Sequence, residues 1–368
     1  MSRIVAAMSG GVDSSVAAAL LAGDRQRLGA GDEIVGVWMR THPDNGEGWE
    51  AKRSCCSPEA ADDARRVAQL LGIPFYILNV EREFGERVID AFADAYLDGT
   101  TPNPCQACNQ YIKFDELLRR GLAAYGADAV ATGHYARIEW REGRWRLLRA
   151  ADTNKDQTYF LWVLNQDQLA ATRFPLGELT KPRVRQIAGE LGLPTADKPE
   201  SQEICFVPAG DYRALLAERR AYAGEPGPIV DRDGSVIGTH TGYAHYTVGQ
   251  RHGLGVAIGA PAYVREIRPA TNTVVIGNRD EVAQHAFTVS AAQFVAGEPP
   301  ADGFEASVRI RHRAPDVPCR VRLIGPDRFS VETDAPVWAP APGQAAVLYQ
   351  GDECLGGGRI ARADAAAA

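Results

Sequence analysis

Apolar positions in the first third of the chain alternate between two patterns. Arg3 to Ala7 is a short run of β-formers, and Ser14 to Ala22 is an alanine- and leucine-rich run that suits a helix. Glu33 to Met39, Phe75 to Val80 and Asp128 to Thr132 repeat the strand pattern, while Pro58 to Leu71, Arg82 to Tyr96 and Tyr111 to Tyr125 carry helical spacing. Strand and helix in that order predict an α/β fold with a doubly wound parallel sheet and a ligand at the carboxyl ends of its strands. A hairpin-like segment, Arg137 to Arg149, and a helix over Thr180 to Leu191 follow.

After about Arg220 the helical period gives way to short alternating runs punctuated by glycine. Gly227 to Gly238, Tyr243 to Leu254, Ala262 to Ile267 and Thr273 to Ile276 read as strands of a small β-rich central domain. Runs near Phe287 to Val289, Glu305 to Arg311, Cys319 to Ile324, Arg328 to Glu332 and Ala345 to Tyr349 predict a C-terminal β-barrel. The expected domains are 1–208, 209–280 and 281–368.

Composition narrows the class. The 368 residues suffice for two or three cores, and the 45% hydrophobic and 24% charged content is that of a soluble globular protein. No apolar run is long enough to span a membrane and no signal peptide is evident, so a cytoplasmic protein is expected. A net charge of −7 argues against general nucleic-acid coating and leaves room for local basic patches. Arg137 to Arg149 holds five arginines against two glutamates, and Arg309 to Arg322 holds five arginines, His312 and one aspartate. Both read as solvated faces or as phosphate-backbone surfaces.

Candidate chemistry begins at Met8-Ser9-Gly10-Gly11-Val12-Asp13-Ser14-Ser15, on the first strand-to-helix turn. Two glycines allow close backbone approach, and the helix start offers unpaired N–H groups to an anion. The terminal Lys-Ser/Thr of the phosphate-loop pattern is absent, which suits a loop that holds pyrophosphate. The plainer alternative is a tight turn with Asp13 as helix N-cap. Gly133, in Thr132-Gly133-His134-Tyr135, is either a nucleoside wall or a turn glycine. Seven cysteines do not make a disulfide framework. Cys105 and Cys108 sit in Thr101-Pro102-Asn103-Pro104-Cys105-Gln106-Ala107-Cys108-Asn109 at a helix N-terminus, which favours thiolates, although two packed cysteines would fit as well. Cys205, in Ser201 to Val207, reads by itself as a core cysteine.

The loop resembles that of the ATP pyrophosphatase (PP-loop) superfamily. The ordered set of that loop, Thr101 to Lys113, Thr132 to Tyr135, Lys155-Asp156-Gln157, Ser201 to Phe206, Tyr246 to Leu254 and Leu355-Gly356-Gly357-Gly358 resembles the tRNA-specific 2-thiouridylases over nearly the whole chain. The resemblance implies ATP-dependent 2-thiolation of the tRNA wobble uridine: adenylation of the base O2, then sulfur at C2 with release of AMP. It implies ATP held by Ala7, Met8, Ser9, Gly10, Gly11, Val12, Asp13 and Ser14, with Met39 and Gly133 at the nucleoside and Mg²⁺ as the expected ion at Asp13. Cys108 matches the nucleophile, and Cys205 the cysteine that takes a persulfide from a sulfur-donor protein, with a disulfide closing between them. Asn103, Pro104 and Cys105 match the target-base segment. His134, Lys155, Asp156, Gln157, Arg311, His312 and Gln344 match tRNA contacts. A monomer is expected.

Position 105 departs from the form of the family that carries aspartate there. Cys105, Cys108 and Cys205 as ligands of an iron–sulfur cluster are therefore an alternative. Another ligase or synthetase of the superfamily, and a non-catalytic tRNA binder, are the remaining readings.

Overall fold

The computed structural model describes residues 2–23, 33–42, 57–200, 204–207, 211–256 and 259–362. Residues 201–203 of the Cys205 motif lie outside them.

The first sheet contains β1 (Arg3–Ala7), β2 (Glu33–Arg40), β3 (Phe75–Asn79) and β4 (Ala129–Ala131), with Thr172–Arg173 at one edge, in the order β3-β2-β1-β4-Thr172. All its pairings are parallel. The chain runs outward from β1 to β3 and then returns to β1's other side at β4. The carboxyl ends of β1 and β4 therefore flank a topological switch point, where such sheets hold ligands.

Helix α1 (Val12–Gly23) leaves β1 through the glycine loop, and α2 (Pro58–Leu71) packs beside it. Ser57 caps α2 by accepting from Ala60 N at 3.2 Å, and Ala60, Ala61, Ala64, Val67 and Ala68 form its buried stripe. The helix expected from Tyr111 begins earlier. Asn103 accepts from Gln106 N at 3.3 Å as a cap, Pro104–Ala107 forms the first turn, and the helix widens to a π-type register over Cys108–Leu117. Such widening is common at functional sites.

The central sheet has the order 263–268, 273–277, 227–230, 236–240. Tyr243 to Leu254 is not a strand. Tyr243–His245 is a short 3₁₀ turn, and Gly249 and Gly253 take φ of 88° and 75°, which break an extended run.

At the C-terminus Ala283–Phe294, Arg328–Trp338, Val317–Gly325, Gly303–Arg309, Ala345–Gln350 and Glu353–Ile360 pair in that order, and the last pairs back with the first. The result is a closed six-stranded antiparallel barrel. A hairpin from the first third, Ala136–Arg141 with Arg144–Arg149, extends this sheet through Glu353↔Leu148 and Cys354↔Leu147. One buried cluster joins both parts: Phe114, Leu147, Tyr159 and Trp162 pack with Val295, Val347, Tyr349 and Cys354. No helix among the described residues is long and apolar enough to cross a membrane.

Candidate active site

The glycine loop sits at the switch point. Gly10 has φ of 69°, and a Cβ there would lie 2.1 Å from the Ala60 carbonyl oxygen, so it is the residue that lets α2 close on the loop. Gly11 differs. Among the described residues a Cβ on it would meet only Ser9 Oγ, at 3.5 Å, so its side is open toward them. Its carbonyl accepts from Ser15 N and from the Ser14 and Ser15 hydroxyls, at 2.9–3.2 Å. The carbonyl is thereby occupied while the start of α1 still carries N–H groups for an anion.

Asp13 is not the N-cap that the plainer reading offered. It lies inside the first turn of α1, and its carboxylate accepts from Lys181 Nζ at 2.7 and 2.8 Å and from Tyr135 Oη at 2.8 Å. Lys181, buried at the start of the helix Lys181–Glu190, also pairs with Glu200 at 2.9 Å. Lys198 Nζ reaches the Gly10 carbonyl at 2.9 Å and Asp63 at 2.7 Å. Lysine is thus absent from the loop's own sequence and present at the loop in space. Lys181 begins a basic run, Lys181 to Arg185, that reads from sequence as a solvated face or a phosphate-backbone surface, and neither lysine was legible as a loop residue, because no local spacing ties residues 181 and 198 to residue 13.

Gly133 serves contact within the protein. A Cβ on it would approach Ser14 N to 2.7 Å and the Asp13 carbonyl carbon to 2.8 Å, so the turn after β4 rests directly on the start of α1. Met8 is buried, and Met39 is partly buried at the end of β2 between two apolar clusters. Ala7, Ser9, Val12 and Ser14 belong to the same strand-to-helix turn.

The cysteines divide. Cys108 and Cys205 both pack against one cluster that contains Phe84, Val88, Ile112 and Phe206, whereas Cys105, one helical turn before Cys108, is exposed. Bringing residues 108 and 205 to one cluster is what the thiol-pair reading requires. Among the described residues no group of three or more His, Cys, Asp or Glu is placed to hold a metal ion. Asn103 and Pro104 start the helix that carries Cys108. Gln344 of the barrel donates to the Thr101 and Pro102 carbonyls at 3.0 and 3.2 Å, and Thr101 N donates to Pro342 O at 2.7 Å.

Several residues expected to touch tRNA are engaged internally. His134 is buried between Phe114 and Phe174, with Thr132 Oγ1 2.7 Å from Nδ1 and Lys113 Nζ 3.3 Å from Nε2. Burial, and then the Lys113 charge, push its pKa well below the ordinary histidine value. Asp156 is a buried hub: its carboxylate accepts from Ala150 N, Thr158 N and Thr158 Oγ1 and lies 3.6 Å from Arg309. Its side chain is therefore buried and engaged within the protein. His312 contacts the Asp156 carbonyl at 3.2 Å, and Gln157 accepts from Tyr135 N at 2.8 Å. Arg311 is half-buried and donates to Ala339 O at 3.1 Å. Lys155 is partly exposed and pairs with Glu200 at 2.7 Å.

The arginine hairpin is likewise tied down: Arg137 pairs with Asp352 at 3.0 Å, Arg146 with Glu353 at 2.5 Å and Arg149 with Asp316 at 2.7 Å. Arg149 also lies 3.7 Å from the Tyr349 ring centroid. These arginines fasten the hairpin to the barrel.

Comparison with known proteins agrees with this architecture. Residues 2–209 match the family described as the tRNA methyl transferase HUP domain, residues 214–278 its PRC-barrel domain, and residues 284–360 the aminomethyltransferase beta-barrel domain. The tRNA-specific 2-thiouridylase MnmA of Carboxydothermus hydrogenoformans is 50% identical, over 97% of each chain. The protein of that name from Chloroflexus aurantiacus is 49% identical over 100% of each, and that from Lachnoclostridium phytofermentans 46% identical over 98% of this chain and 99% of its own. With a switch-point glycine loop, two cysteines on one cluster and a closed barrel docked on the cysteine loop, the chain belongs to the tRNA-specific 2-thiouridylase family.

Proposed function

We propose that this protein catalyses ATP-dependent 2-thiolation of the tRNA wobble uridine. The observation that carries the reading is the common placement of Cys108 and Cys205 on one apolar cluster, in a chain whose first strand-to-helix turn is a glycine loop at the sheet's switch point.

The base must leave its stack to reach a buried loop, and Asn103 and Pro104 stand at the cysteine helix where it would enter. Attack of the base O2 on the α-phosphorus of ATP releases pyrophosphate and converts a poor leaving group into AMP. The terminal sulfur of a Cys205 persulfide then bonds to C2, and AMP departs with the former O2. The Cys108 thiolate attacks Cys205 Sγ, the S–S bond breaks, and the sulfur stays on C2 as 2-thiouridine. Two thiols are oxidised to a disulfide as the persulfide sulfur is reduced, so turnover requires a thiol reductant and a sulfur-donor protein. ATP fits the loop through the open side of Gly11 and the two lysines. Mg²⁺ would share Asp13, whose carboxylate now accepts from Lys181 and Tyr135.

Nucleoside mass spectrometry of substrate tRNA, incubated with the protein, ATP and a persulfide donor, tests the reading. The expected product is 2-thiouridine with equimolar AMP and pyrophosphate; tRNA left unthiolated by a competent donor refutes it.

A further inference from the structure

The loop lacks a lysine in sequence, yet two ammonium groups reach it from beyond residue 180. We infer that Lys181 and Lys198 form a pyrophosphate clamp that binds the β- and γ-phosphates of ATP and retains them as the α-phosphate is attacked. The inference rests on the ATP reading above and assigns two residues to it that the loop motif does not contain.

Three features support the assignment. The two lysines lie on either side of the same loop: Lys181 on the Asp13 carboxylate at 2.7 Å, Lys198 on the Gly10 carbonyl at 2.9 Å. Between these contacts lies Gly11, whose missing side chain leaves room for a ligand. Carboxylates also hold each lysine in place, Glu200 for Lys181 and Asp63 for Lys198, at 2.9 and 2.7 Å. A flexible four-carbon stem would otherwise carry its charge into water, so these pairs fix the ammoniums at the loop before a ligand arrives. Finally, among the described residues Lys198 uses two of its three donors in these bonds, and the third is assigned to a phosphate oxygen.

A lysine whose only duty was to neutralise Asp13 would need no counterpart at Gly10. Two cations flanking a helix start match a ligand with several negative charges better than one with a single phosphate. The clamp therefore distinguishes pyrophosphate and ATP from AMP.

The experiment uses the full chain without tRNA and measures binding of pyrophosphate, ATP and AMP by calorimetry. Lys181→Met and Lys198→Gln are each expected to weaken pyrophosphate and ATP by roughly tenfold or more, with AMP changed by less than about threefold. Lys181→Arg should recover part of the loss. Unchanged pyrophosphate affinity in folded variants would overturn the clamp, as would AMP falling by the same factor as ATP. If Lys181→Met does not fold, Lys198→Gln, whose side chain is more exposed, supplies the same comparison. Wild-type protein that fails to bind pyrophosphate also overturns it. Lysine-dependent pyrophosphate binding in a protein that forms no 2-thiouridine would leave the clamp standing and remove the thiolation reading alone.

Discussion

Adjacent glycines in the loop have opposite jobs, and substituting each by alanine separates folding from ligand binding. Gly10→Ala places a methyl group 2.1 Å from the Ala60 carbonyl oxygen at a residue whose φ is 69°. The left-handed backbone costs about 1–2 kcal/mol for a non-glycine residue. Relief of the overlap requires α2 to move off the loop, and overpacking of that kind costs about 1–3 kcal/mol. The two together predict about 2–5 kcal/mol and a fall in thermal midpoint on the order of 10 °C. Among the described residues Gly11→Ala meets only Ser9 Oγ, at 3.5 Å. It should cost less than about 1 kcal/mol, as alanine for glycine at a helix start does, and should still weaken ATP binding by roughly tenfold because the methyl group occupies the phosphate approach. Thermal melts and ATP calorimetry on both variants decide the matter. Wild-type stability in Gly10→Ala would show that α2 does not press on the loop, and wild-type ATP affinity in Gly11→Ala would remove the phosphate site from it.

Other expectations follow from the same contacts. Cys105→Ser should retain substantial thiolation under anaerobic conditions while Cys108→Ser and Cys205→Ser lose it; joint loss of activity and bound iron in Cys105→Ser would instead establish a cluster. Asp156→Asn should destabilise the protein by about 1–3 kcal/mol, because the buried amide cannot accept from Ala150 N, Thr158 N and Thr158 Oγ1 as the carboxylate does, and leave tRNA affinity per folded molecule unchanged. Burial raises the Glu200 pKa, but hydrogen bonds and charge from Lys155 and Lys181 outweigh it and bring the value to about 2. A depressed carboxylate stabilises the fold above its ordinary pKa of 4.5, and the stabilisation is lost as pH falls toward about 2. The stability advantage of wild type over Glu200→Gln should therefore be full at neutral pH and shrink below the ordinary value; a gap independent of pH would show that the ion pairs do not couple to folding.

Local pattern carried most of the first domain. The strand Arg3–Ala7 and the helix Pro58–Leu71 lie where their hydrophobic spacing puts them, because each buries one face against its immediate neighbours. The last barrel strand, Glu353–Ile360, was not legible as a strand because Gly356, Gly357 and Gly358 read as breakers. Packing demands them: a Cβ on Gly356 would lie 2.2 Å from Gln293 O, and one on Gly357 would lie 2.5 Å from Ala346 O, so the barrel closes only where side chains are missing. The charge runs conceal a packing role for a related reason. Arg137, Arg146 and Arg149 find their carboxylates about 170 to 215 positions along the chain, a distance no window of sequence spans. Tyr135, Lys181 and Lys198 belong to the loop on the same terms.

The barrel shares a core with Phe114 of the cysteine helix and with the hairpin, so the barrel bears on the cysteine loop as well as on any RNA surface. Gln344 makes the case testable, because family resemblance implies a tRNA contact while the structure shows its amide on the Thr101 and Pro102 carbonyls. Those carbonyls lead into Asn103, the cap of the helix that carries Cys108. Loss of two hydrogen bonds of ordinary net strength amounts to about 1–3 kcal/mol, spent on ordering the loop rather than on holding RNA. Gln344→Ala should therefore slow sulfur transfer at saturating tRNA by roughly tenfold, the effect of misplacing a nucleophile, while tRNA affinity changes by less than about threefold. Single-turnover thiolation and filter binding on the same variant give the two numbers. If affinity falls and the saturated rate stays at the wild-type value, Gln344 acts on tRNA, and the barrel's hold on the cysteine loop does not govern the chemistry.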